Sequence, residues 1–66
     1  MADYRVYFLD RDDHIYAADA LTASNDAAVI ADADNLCGRQ PRCAAVEIWE
    51  GARLVHRCSV KAAAFN

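Results

Sequence analysis

Ser24 to Gly38 reads S-N-D-A-A-V-I-A-D-A-D-N-L-C-G, the one long stretch of the chain with helical character. Ser24 is a favoured N-cap residue, and Asn25 and Asp26 then fall in the first turn, where negative charge suits the helix dipole. Gly38 stands where a left-handed residue would end the helix, and Pro41 discourages its restart. At about 100° per residue, Val29, Ile30, Ala33, Leu36 and Cys37 fall within an arc of roughly 120°. Asp32, Asp34 and Asn35 lie on the other side. A stripe this narrow, flanked by alanines, does not stabilise a four-turn helix alone, so a sheet must lie beneath it.

The flanks supply that sheet. Tyr4-Arg5-Val6-Tyr7-Phe8-Leu9 is rich in β-branched and aromatic residues and reads as the first strand. Alternation sends Tyr4, Val6 and Phe8 to one face and Arg5, Tyr7 and Leu9 to the other. Asp10 to Asp13 is a turn by composition. Asp10 and Asp12 match the first two ligands of a calcium loop, but the required glycine and glutamate do not follow, so a solvated hairpin turn is expected. His14 to Leu21 is the second strand, Ala-rich and weak in β propensity, an edge strand that Asp19 protects.

Beyond the helix, Arg39 to Arg42 is a loop and Ala44 to Trp49 a third strand, with Val46 and Ile48 opposed to Glu47 and Trp49. Arg53 to Cys58 is the fourth. A three-residue loop at Trp49-Glu50-Gly51 would set Glu47 opposite Arg53 and Val46 opposite Leu54, whereas a two-residue loop would shift the pairing. Ala62 to Phe65 forms either a short helical turn or a mobile tail. The expected fold is α+β: a two-layer ββαββ domain with a four-stranded, mainly antiparallel sheet and one helix, residues 24 to 37, on one face.

Three pieces carry a resemblance: Y-R-V-Y-F-L-D-R-D-D-H-I (Tyr4 to Ile15), N-D-A-A-V-I-A-D-A (Asn25 to Ala33) and V-E-I-W-E-G-A-R-L-V (Val46 to Val55). They resemble a group of very small uncharacterised bacterial proteins, in which a YxxYxLDxDGHI opening, an acidic-capped Ala-rich helix and a VELWxGxRLV hairpin recur. The resemblance implies the same strand-strand-helix-strand-strand fold and brings no activity and no site residue. Asp13 stands where that pattern usually has glycine, which implies an altered first turn.

The totals narrow the function classes. Sixty-six residues make one domain, which buries only about 60% of its unfolded surface. Apolar residues are 56% of the chain, which speaks against disorder, but many are alanines, and so thin a core favours a homodimer. The net charge of −3 and a pI near 5.0 disfavour nucleic acid as the main partner. The charge is uneven: residues 1–36 carry eight Asp against Arg5 and Arg11, and residues 37–66 carry five cations against Glu47 and Glu50. Either the two halves attract each other, or Arg39, Arg42, Arg53, Arg57 and Lys61 form a patch for an anionic partner. Cys37, Cys43 and Cys58 lack zinc-ligand spacing, the opening residues lack the basic region of a signal peptide, and no stretch has transmembrane length. A cytoplasmic protein with reduced thiols, without cofactor or metal, is the expectation.

Trp49, Tyr7 and Leu9 are the candidate interface, an apolar patch on the sheet face that the single helix leaves bare. A base-stacking platform is the nucleic-acid alternative for the same aromatics. His56 and Cys58 alternate onto one face and form the best base-and-nucleophile pair for a thiol enzyme or redox sensor, although no third group orients them. His14 with Asp12 or Asp13 is the best metal candidate, short of three convergent ligands. The leading expectation is a small non-catalytic interaction or structural module acting as a homodimer. A regulatory nucleic-acid binder and a thiol-based protein are the alternatives.

Overall fold

A computed structural model describes residues 1–58. The elements run β1 (Ala2–Leu9), β2 (Ile15–Ala23), α1 (Asp26–Gly38), β3 (Ala45–Glu50) and β4 (Arg53–Cys58). The strands form one antiparallel sheet in the order β2-β1-β3-β4, with α1 packed on one side. This is the expected α+β architecture. The expectations placed on Ala62 to Phe65 and on Lys61 lie outside the described residues.

Strand alternation decides what the helix covers. Val6 pairs with Ile48 and Phe8 with Val46, so these four share the helix side. With Tyr4 they meet Val29, Ala33 and Cys37, spaced four apart on α1, and all of them are buried. Ile30 and Leu36 pack at the margin of this cluster, so all five residues of the apolar arc are used.

The helix ends differ from the expectation by small shifts with physical causes. Asn25, not Ser24, is the N-cap: its carboxamide oxygen accepts the Ala28 N–H at 2.8 Å, and its backbone is extended. Gly38 is the last helical residue instead of a left-handed terminator. The helix closes by tightening, with Arg39 N–H donating to the Leu36 carbonyl at 3.3 Å and Gln40 N–H to that of Cys37 at 3.0 Å. No positive φ is needed there. Asp13 is where one occurs, with φ of 63°. The first turn therefore keeps a glycine-like conformation without the glycine, and Asp is among the residues that tolerate it.

Cys37 and Cys43 are joined by a disulfide, with their Cα atoms 5.4 Å apart. The expectation of three reduced thiols is corrected: Cys58 alone is free. The bond ties the end of α1 to the entry of β3, and both residues lie in the core.

Each outer strand carries one extra residue. Phe8 pairs with Ala17 but Leu9 with Ile15, which leaves Tyr16 as a bulge; Ile48 pairs with His56 but Trp49 with Leu54, which leaves Val55 as another. Both bulged residues pack against the core. The second hairpin turns through Gly51 and Ala52, with Gly51 at φ 59°. Glu47 therefore faces Arg57 and Val46 faces Cys58, instead of the partners that a three-residue loop would give. Leu54 falls opposite Trp49, on the bare side of the sheet.

Candidate functional site: the helix-free face of the sheet

The side away from α1 is a grid set by the pairings. One row runs Ala20, Arg5, Trp49, Leu54 from β2 to β4, and the next runs Ala18, Tyr7, Glu47, Arg57. Tyr7 and Trp49 are diagonal neighbours on the two central strands, within reach of each other for aromatic side chains. Around them lies an open concavity of about 740 Å³, which Asp3, Arg5 and Glu47 also line and which Gly51 and Ala52 border. Ile15 is 54% exposed and Leu54 48%, so large apolar groups flank the aromatics on both outer strands.

Trp49 is held, not loose. Its indole N–H donates to the Glu47 carboxylate at 3.3 Å, and the other oxygen of that carboxylate lies 3.3 Å from Arg57. Arg57 also reaches Asp13 at 3.4 Å. This chain of contacts fixes the indole at the centre of the face and neutralises Glu47.

Of the three interface candidates, the structure brings Tyr7 and Trp49 together and leaves both partly exposed. Leu9 follows the alternation onto this side but is buried, 3% exposed, beside its equally buried partner Ala45. It is therefore not part of the accessible patch, and Ile15 and Leu54 take its place. Those two were missed because Ile15 owes its side to the Tyr16 bulge and Leu54 to the two-residue turn that sets it opposite Trp49, neither of which strict alternation registers.

The basic residues do not converge. Arg39 caps the C-terminal end of α1, while Arg53 grips Asp26 at the other end, about 20 Å away along a 13-residue helix. Arg42 stacks over the Tyr16 ring at 4.8 Å and lies 3.8 Å from Asp10. Arg42–Asp10, Arg53–Asp26 and Arg57–Asp13 each join the basic half of the chain to the acidic half. Lys61 lies outside the described residues.

His56 and Cys58 pair with Ile48 and Val46, which places them on the helix side of the sheet, and no hydrogen bond joins them. Asp10, Asp12 and His14 come together within 4.8 Å, whereas Asp13 turns to Arg57. One Asp10 oxygen is already used by the backbone N–H groups of Asp12 and His14, at 2.9 and 3.0 Å. These bonds hold the Asp10 carboxyl below the ordinary carboxylate range, with the His14 contact the larger cause. The arrangement is a self-bonded aspartate turn.

No family model matches the chain, and no curated protein or solved structure matches it either. No helix among the described residues is long and apolar enough to cross a membrane.

Proposed function

We propose that the protein is a small non-catalytic interaction module that self-associates through the helix-free face of its sheet. The observation that carries this reading is the partly exposed aromatic pair, Tyr7 and Trp49, set in a concavity with exposed Ile15 and Leu54 on either side. Apolar side chains grouped in this way on so small a domain mark a contact surface. The core on the other side of the sheet consists largely of small or medium side chains, so covering a second face adds a substantial fraction of the burial available to the chain.

The open face is favoured over the edge of β2. Along that edge the Asp19 carboxylate accepts the N–H of Ala20 at 3.0 Å, so the strand satisfies part of its own backbone and carries a charge against strand addition. An anionic partner is less well supported, because three of the four described residues of the expected basic patch are already paired with carboxylates. As for compartment, the Cys37–Cys43 bond favours an oxidising environment, where disulfides persist.

Sedimentation equilibrium tests the reading. The expected mass at high micromolar concentration is twice the 7.3 kDa of one chain. Trp49→Glu is expected to return it to a single chain while leaving the circular dichroism of the fold intact. A wild-type chain that stays single throughout that range overturns the proposal.

A further inference from the structure

We infer that the partner on this face is a second copy selected by charge: Arg5 of each chain pairs with the partner's Asp3, about a two-fold axis lying in the interface and running across the strands between the two residues. This rests on the self-association reading above and adds what recognises the second copy and how it is oriented.

The charges lead to it by elimination. Three charged side chains line the concavity: Asp3, Arg5 and Glu47. Glu47 is answered within the chain by Arg57 and by the indole of Trp49. Asp3 and Arg5 make no ion pair or side-chain hydrogen bond among the described residues, and both are exposed. They stand two residues apart on β1, so they share a face at a spacing of roughly 7 Å. A polyanion seated here would press against Asp3, and a cationic partner would press against Arg5. A surface that offers the same two charges in reverse order satisfies both, and a second copy turned by a two-fold rotation offers that by symmetry.

Shape follows the same operation. Trp49 pairs with Arg5, and the same antiparallel register, carried past this last pair into the turn, puts Gly51 toward Asp3, with which it lines the concavity. The rotation that sets Arg5 over the partner's Asp3 therefore sets the indole over the partner's Gly51 and Ala52. Those are the smallest side chains at the rim, and a Cβ built on Gly51 meets nothing within 4 Å. The bulky residue of each chain thus meets open space on the other.

Charge reversal tests the pairing. Arg5→Glu gives a face with two unanswered acids, and Asp3→Lys one with two unanswered bases. Each variant alone is expected to self-associate at least about tenfold more weakly than wild type, because like charges then meet across the axis. An equimolar mixture of the two is expected to form a mixed dimer, and the double variant Arg5→Glu/Asp3→Lys to dimerise like wild type. Thermal melts of each variant confirm folding independently of association. A single reversal that dimerises at the wild-type concentration, or a mixture of folded single variants that stays monomeric, overturns the pairing while leaving a dimeric wild type in place. A monomeric wild type removes the self-association reading itself, so the two failures are distinguishable.

Discussion

Asp26, in the first turn of the helix, accepts from both terminal guanidinium nitrogens of Arg53, 27 residues further along the chain, at 3.3 Å each. It also accepts the Tyr4 hydroxyl at 2.8 Å, so one carboxylate joins the helix to β1 and to the start of β4. Arg53 in turn bonds Glu50 across the second hairpin. Arg53 chiefly, and Tyr4 after it, hold the Asp26 carboxyl below its ordinary range.

A pH dependence follows. Asp26 and Asp10 both have lowered folded-state values, so the unfolded chain binds their protons more readily than the folded one. Their contribution is present above the unfolded value, near pH 4, and is lost as pH falls through the folded values. The denaturant midpoint is expected to drop between about pH 5 and about pH 3, and Asp26→Asn is expected to flatten that drop. Equal slopes for the variant and the wild type contradict the assignment.

The disulfide is expected to be structural. Closing a loop of sequence separation 6 contributes about 2 kcal/mol in the chain-entropy account. Cys37→Ala/Cys43→Ala is therefore expected to unfold at a lower denaturant concentration by about that amount. Alkylation of the oxidised, denatured chain is expected to label Cys58 alone, and all three cysteines after reduction. Three reactive thiols before reduction contradict the bond.

Asp13 offers a test of the first hairpin. Its left-handed backbone suits glycine, and its contact with Arg57 is an exposed pair of little worth. Asp13→Gly is expected to change stability by less than about 0.5 kcal/mol, and Asp13→Val to cost about 1–2 kcal/mol. Chemical denaturation of the two variants checks this, and equal effects contradict it.

The two-layer fold was legible in the sequence because period and composition agreed. Val6 and Phe8 alternate against Arg5 and Tyr7, and Val29, Ala33 and Cys37 recur at helical spacing. The weak β propensity of the second strand marked it as an edge, where it lies. Two bulges were not legible. Tyr16 and Val55 each turn an extra residue toward the core, and a one-residue slip reverses every face assignment beyond it. The Tyr16 bulge is why Ile15 emerges on the open side, whereas the two-residue turn at Gly51 and Ala52 sets Leu54 opposite Trp49, and the Val55 bulge beyond it brings Glu47 opposite Arg57. The Cys37–Cys43 bond was hidden for a different reason: a spacing of six matches no metal or redox motif, and only the folded path from α1 to β3 brings the two together. In the candidate site, Tyr7 and Trp49 could be read directly from alternation. The charges of Asp3 and Arg5, unanswered among the described residues, could not, because that is known only once the neighbours are in place.

Trp49 is the single tryptophan of the chain, so its emission reports on the proposed surface without any label. The most direct measurement follows Trp49 fluorescence and sedimentation mass together across a dilution series. The proposal predicts that emission shifts to the blue at the concentration where the mass doubles, as the indole leaves water against the second copy. A mass that doubles with unchanged emission would place the contact elsewhere on the molecule, and a mass that never doubles would remove it.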